Sequence, residues 1–237
     1  MLEHQAFLGT FHKTGTTLMR KIVEPFAKKN GLKFWIMHEQ ETEPQSWELC
    51  FHYHSKFLYM PEFMDDSQPR RYVVTIRDPR DVVVSCTKYH LDSEEEWLHV
   101  PDDRFGGKTY QQHLNSLETT AERQVFELEN VAGGILNQLR NLDASDERLL
   151  LVKLEDLMTD FDLMHFHRLF SHLGFEGDAI PKLLELSYKN SVFAKNFAGS
   201  RHIRSGRTRL WETELSSEAA TILDERYAGL VEQLGYE

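Results

Sequence analysis

The sequence predicts an α/β fold in three layers, with a central and mainly parallel sheet flanked by helices. Three observations carry this. Two strand–loop–helix units open the chain, a further short apolar strand candidate lies near residue 150, and most of the remainder is amphipathic helix. Strands alternating with helices are joined by crossovers, which make strand neighbours parallel.

The first strand is "AFLGT", running into a glycine loop. "TTLMRKIVEPFAKKNG" follows with helical spacing at Leu18, Ile22 and Phe26 and a stop at Gly31, and Pro25 is expected to kink or shorten the helix. "ELCFHYH" and "RYVVTI" are aromatic and β-branched, short, and bounded by polar sequence, as buried strands are. "RDPRDVVVSCTKYH" turns into a helix with Pro79 in its first turn. From Asp92 to Lys108 the acids, proline and Gly-Gly pair lack any sustained period and predict a loop or lid. "SLETTAERQVFELENVAGGILNQLRNL" is a long helical pattern weakened at Gly133-Gly134. "ERLLLVKLEDL" is a strand entering a turn. The C-terminal third, "FDLMHFHRLFSHLGF", "DAIPKLLELSYKN" and "SSEAATILDERYAGLVEQLGY", is helical, with His165 and His167 expected in helix packing. With no repeat or linker, the 237 residues predict a single domain, 1–237.

Composition bounds the function. A net charge of −11 argues against nucleic-acid binding over a broad basic surface, so any anion must be held locally. Cys50 and Cys86 have neither metal-motif spacing nor the density of a disulfide scaffold, which predicts free thiols in a reducing, cytoplasmic setting. The N-terminus lacks a basic and then apolar leader, and no run approaches the ~20 apolar residues of a membrane span, so a soluble, unprocessed chain with no membrane partner is expected.

The stretch "FLGTFHKTGTTLM" looks like a phosphate-binding loop whose lysine has moved. In a nucleotide-triphosphate P-loop the lysine follows the second glycine. Here Lys13 precedes Gly15 by two residues, and Thr16 and Thr17 follow it. Gly9 and Gly15 permit close backbone approach to an anion, and the amides of Thr14 to Thr17 open a helix, where partial positive charge favours phosphate. The fold class is therefore P-loop-like. Downstream, Arg77 ends a strand and Ser85 lies eight positions on, about two helical turns, so the two can grip a second phosphate. Both loops follow strand carboxyl ends, where ligands bind in such folds.

Lys-Thr-Gly-Thr-Thr after the first strand, then Arg-Asp-Pro-Arg-Asp with a serine eight residues after its first arginine, resembles the sulfotransferases that use 3′-phosphoadenosine 5′-phosphosulfate (PAPS). "RHIRSGRTRLWETELSSE" is similar to that family's late loop, with Arg204, Ser205 and Gly206 at its three positions and Ser205 in place of the usual lysine. The Gly-Asp pair usual before the tryptophan is Arg209-Leu210.

The resemblance implies that Lys13 stabilises charge on the bridging oxygen as the sulfuryl group leaves, while Thr14, Gly15, Thr16 and Thr17 hold the 5′-phosphate. It implies that Arg77, Ser85, Arg204, Ser205 and Gly206 contact the 3′-phosphate of PAPS and of its product, adenosine 3′,5′-bisphosphate (PAP). Tyr188 either packs on adenine or belongs to the core. Leu154 stands where the family often has tyrosine. Sulfuryl transfer resembles loose, in-line phosphoryl transfer, where catalysis is positioning and electrostatics. A sulfuryl group carries less negative charge than a terminal phosphoryl group, so no metal is expected.

The family commonly places a histidine base about two dozen residues before the arginine. "CFHYHSKF" offers His52 and His54, sharing one strand face by period two, with His54 favoured by spacing. An HxH pair is also a metal pattern, but no third ligand is evident nearby. A small alcohol, phenol or amine is the expected acceptor, in a pocket of loops around Trp35 to Trp47 and Asp92 to Lys108. The family's Lys-Thr-Val dimerisation signature is not visible, which leaves oligomeric state open. The alternatives are a P-loop kinase or nucleotide hydrolase, which would place a lysine after Gly15, and a non-catalytic nucleotide-binding protein.

Overall fold

The computed structural model describes residues 2–40, 42–65, 68–194 and 207–237. In chain order the elements are β1 (Gln5–Gly9), α1 (Thr16–Asn30), β2 (Phe34–Ile36), β3 (Leu49–His52), α2 (Pro61–Met64), β4 (Arg70–Ile76), α3 (Pro79–His90), α4 (Tyr110–Ser116), α5 (Thr120–Glu129), α6 (Val131–Arg140), β5 (Leu149–Lys153), α7 (Leu154–Met158), α8 (Met164–His172), α9 (Ala179–Asn190), α10 (Trp211–Glu214), α11 (Ser217–Arg226) and α12 (Leu230–Gln233). They fall into two compact units, residues 1–77 with 142–207, and residues 78–141 with 208–237.

The first unit holds a five-stranded, wholly parallel sheet in the order β2-β3-β1-β4-β5. Period-two alternation gives it two buried faces of different chemistry. Register aligns Trp35, Cys50, Phe7 and Tyr72 across four strands. Phe7 stacks on Tyr72 at 5.2 Å and meets Trp47, Phe57 and Phe63 within 4.9 to 5.5 Å, so this face is aromatic. On the other face Leu8, Phe51 and Val73 pack with Met19, Ile22, Val23 and Phe26 of α1, and with Phe166, Leu169 and Phe170 of α8. Burial of both faces explains why the inner strands read as continuous apolar runs.

Several expectations are corrected. The helix α1 runs through Pro25 for fifteen residues and ends at Gly31, whose left-handed φ of 68° lets its N–H bond the Ala27 carbonyl. Phe26 and Ala27 lie in its buried face, and the carbonyl that Pro25 deprives belongs to exposed Lys21, where water can replace the lost donor. β2 was not foreseen, being only three residues long. Trp35 and Trp47, expected in an acceptor loop, are buried in the aromatic face. His165 and His167 are exposed, because α8 turns Phe166, Leu169 and Phe170 inward instead.

In the second unit, α3 begins as expected with Pro79 in its first turn, and the Asp78 carboxylate accepts from the Arg80 N–H at 2.9 Å. Capping boxes start α4 at Thr109 and α5 at Thr119. The long helical pattern breaks at Asn130 rather than at Gly133-Gly134, which lie inside α6. Gly133 serves that break: a Cβ there would collide with the Leu128 carbonyl oxygen. The region 92–108 carries two 3-10 turns, Glu96–His99 and Asp103–Phe105, and Leu98 packs with Tyr110, Leu114 and Phe126. His90 and Glu127 form a fully buried pair at 2.6 Å. The Asp81 carboxylate accepts from the N–H groups of Arg209 and Trp211 at 3.1 and 3.0 Å, and Arg80 lies 3.6 Å from the Trp211 ring centre.

Candidate active site

The site of the first unit lies at the carboxyl ends of β1, β3, β4 and β5. The β1–α1 loop carries its own bracing. Thr14 is fully buried; its hydroxyl donates to the Phe11 carbonyl at 3.0 Å and accepts from the Phe11 N–H at 2.8 Å, and its own N–H bonds that carbonyl at 3.1 Å. Thr14 therefore shapes the loop, and the outward donors are the amides that open α1. Those of Thr16, Thr17 and Leu18 have no intrahelical partner, as in any helix start. Gly15 caps the helix at φ 106°, where a Cβ would also stand 3.0 Å from Leu154 Cδ1. The Thr16 hydroxyl meets Thr10 Oγ1 at 2.8 Å, whereas Thr17 is exposed.

Lys13 is half-buried with φ 67°, the left-handed region that costs an L-residue energy. Its carbonyl accepts from Arg77 Nη1 at 3.3 Å. Arg77 is 9% exposed, and its Nε lies 3.9 Å from Glu155 Oε1. The structure thus brings Arg77 to the loop that bears Lys13. Beneath Gly15, the buried Thr75 hydroxyl has no hydrogen-bond partner among the described residues and lies 4.0 Å from the position of a Gly15 Cβ. A tight, donor-rich loop, a buried guanidinium and a spare buried hydroxyl fit a ligand with more than one anionic group.

β3 meets this loop through Thr10. The Thr10 N–H bonds the His52 carbonyl at 3.0 Å, its hydroxyl donates to the Tyr53 carbonyl at 3.3 Å, and Ser55 Oγ donates to the Thr10 carbonyl at 2.8 Å. Gly9 permits the approach, since a Cβ there would collide with Ser55 Oγ.

The strand ends at His52, so His54 lies in the following turn and the expected shared strand face does not exist. The turn still brings the two rings to 6.2 Å, and exposed His38 joins them at 6.0 Å from His52 and 5.4 Å from His54.

The two candidate bases differ in chemistry. His52 is 2% exposed, and burial, helped by neighbouring His54, pushes its pKa down to about 3. Its Nδ1 accepts from the His54 backbone N–H at 2.9 Å, which places its one proton on Nε2. A ring with its lone pair committed is a poor proton acceptor. His54 is half-buried in the turn that follows β3. Beside them, Tyr53 donates to Glu39 at 2.8 Å and accepts from Arg20, and burial together with that carboxylate pushes the phenol up to about 12.

Tyr188 on α9 is 45% exposed, with its ring 6.0 Å from that of Phe193, so it is no core residue. Ser85 lies half-buried on α3 in the second unit. Arg204, Ser205 and Gly206 lie outside the described residues. Sequence reading missed Thr10, Ser55, His38 and Glu155. Of these only Glu155 carried a signal, an acid directly after a strand in "LVKLEDL".

The chain matches no protein-family model and no curated protein. Among solved structures it is similar to mouse sulfotransferase SULT7A1 complexed with PAP, with a TM-score of 0.63 and 15% identity over 98% of this chain and 86% of that one. It also matches the sulfotransferase domain of the Synechococcus PCC 7002 olefin synthase, with a TM-score of 0.46 and 14% identity over 98% and 94% of the two chains. The likeness to the mouse protein spans nearly every residue, and together with the parallel sheet and its loop order it establishes that this chain is built on the sulfotransferase fold.

Proposed function

We propose that the protein is a PAPS-dependent sulfotransferase that moves a sulfuryl group to a hydroxyl or amine of a small-molecule acceptor. The observation that carries the reading is the β1–α1 loop, with Lys13 before its glycine and buried Arg77 bonded to its backbone. The mouse protein of like fold was crystallised with PAP, which supports the donor class.

In this reading the amides of Gly15, Thr16 and Thr17 hold the 5′-phosphate, with Thr14 shaping the loop. Arg77 and Ser85, joined by Arg204, Ser205 and Gly206, bind the 3′-phosphate, and Tyr188 lies against adenine. The acceptor oxygen or nitrogen attacks sulfur as the bond from sulfur to the bridging oxygen breaks. The electron pair leaves on that oxygen, which becomes part of PAP and is stabilised by the Lys13 ammonium. His54 takes the acceptor proton. Charge handling by Lys13 and Arg77 makes a metal unnecessary. Neither Cys50 nor Cys86 forms a disulfide, in keeping with a cytosolic setting. Nucleic acid and membrane are not partners in this reading, and among the described residues no helix is long and apolar enough to cross a membrane.

The test is PAP release from PAPS across a library of alcohols, phenols and amines, beside a parallel assay of ATP with magnesium. Acceptor-dependent PAP release, unchanged by chelator and lost in Lys13→Ala, is expected. Turnover of ATP with magnesium, and none of PAPS, would establish the kinase or hydrolase reading instead.

A further inference from the structure

The β5–α7 corner reaches the β1–α1 loop directly through Leu154 and indirectly, by way of Arg77, through Glu155. Leu154, 8% exposed, fills the space over Gly15, where a Cβ would stand 3.0 Å from its Cδ1. Its neighbour Glu155, in the first turn of α7, holds a largely buried carboxylate 3.9 Å from Arg77 Nε. The Nη1 of the same guanidinium donates to the Lys13 carbonyl at 3.3 Å. The chain of contacts therefore runs from a carboxylate through a buried cation to the one residue of the loop in a left-handed, non-glycine conformation, φ 67°.

That conformation is unfavourable for lysine on its own and persists only where surroundings impose it. A planar guanidinium has donors to spare, so one edge can hold a carbonyl while another faces a carboxylate. A carboxylate beside a phosphate site weakens anion binding by like charge, so its presence calls for a compensating role. Orientation of the arginine supplies one.

We propose that Glu155 is a positioning residue: by orienting Arg77 it fixes the Lys13 backbone, and so the direction in which the Lys13 ammonium is presented to the leaving oxygen. Glu155 touches neither donor nor acceptor. The inference rests on the reading of this loop as the sulfuryl-donor site.

The experiment compares parent, Glu155→Ala and Glu155→Gln in single-turnover transfer from saturating PAPS, in PAP titration, and in thermal unfolding. Loosening Lys13 is expected to slow transfer roughly tenfold to a hundredfold in Glu155→Ala, while PAP affinity changes by less than the rate does, because removing a negative charge beside the phosphates offsets the loss of Arg77 orientation. Glu155→Gln, which keeps the side chain's shape and an oxygen facing Arg77 but not the charge, recovers part of the rate. A purely structural role would weaken PAP binding and rate together, with no recovery by glutamine, and that result would overturn the proposal.

A second arm needs no donor. Glycine at position 13 adopts φ 67° without help, so Glu155→Ala should lower the unfolding temperature less in a Lys13→Gly background than in the parent. Equal losses in both backgrounds would refute the brace. A parent that neither binds PAP nor turns over PAPS would refute the donor reading instead, and this second arm would then decide the brace alone.

Discussion

Lys13 offers a way to separate the strain of the loop from its chemistry. Lys13→Ala and Lys13→Gly both remove the ammonium, and they differ only by a Cβ at φ 67°. A left-handed conformation costs an L-residue roughly 1–2 kcal/mol, which glycine escapes. Glycine returns about 0.4–1 kcal/mol of this through the larger entropy of the unfolded chain. The net expectation is that Lys13→Gly is about 1 kcal/mol more stable than Lys13→Ala, or about 2–4 °C in unfolding temperature for a chain of this size. Differential scanning calorimetry of both variants measures the gap. Transfer should fall by roughly 10²–10³ in both, because the charge at the leaving oxygen is lost alike. Equal stability, or alanine above glycine, would show that the backbone is not held left-handed and would remove the basis for any brace acting on it.

His54→Ala should slow single-turnover transfer by roughly 10²–10⁴ while PAP still binds, and His52→Asn should act chiefly through stability. Because the His52 pKa falls from 6.5 to about 3 on folding, the unfolded chain takes up a proton in that window that the folded chain does not. Stability attributable to neutral His52 is thus complete above pH 6.5 and falls as pH drops, by about 2 kcal/mol at pH 5. Urea unfolding across pH 5–7 should show this extra acid sensitivity in the parent and not in His52→Asn; parallel profiles would contradict it. Phe7→Ala, which empties a fully buried ring among four aromatic neighbours, should cost about 3–5 kcal/mol by urea unfolding, and a loss below 1 kcal/mol would argue against that packing.

Much of the architecture was legible because the inner strands β1, β3 and β4 are buried on both faces and read as short apolar runs. β2 was not, since three residues give no period to detect. The helix break was placed at Gly133-Gly134 because glycine punctuates most sequences, but here Gly133 is needed for the close approach of the Leu128 carbonyl and the chain turns at Asn130. Propensity likewise misjudged Pro25, whose cost is met by the packing of Phe26 and Ala27. At the site, the loop and Arg77 were singled out because phosphate chemistry demands glycine, hydroxyl and guanidinium at fixed spacing, and the structure brings the two together. The hydrogen bond that commits His52 Nδ1, and the contact of Glu155 with Arg77, depend on turns after β3 and β5 that no spacing rule encodes.

The central claim is that Arg77 and the Lys13 loop together bind a nucleotide carrying both 3′- and 5′-phosphates. Titration calorimetry of PAP and of AMP, against the parent and Arg77→Ala, tests it most directly. The parent should prefer PAP, and Arg77→Ala should lose about tenfold or more of its PAP affinity, as removal of a charge-assisted hydrogen bond worth roughly 1.5–3 kcal/mol requires, while AMP binding changes less. A parent that binds AMP as well as PAP, or an Arg77→Ala variant that binds PAP unchanged, would contradict the assignment.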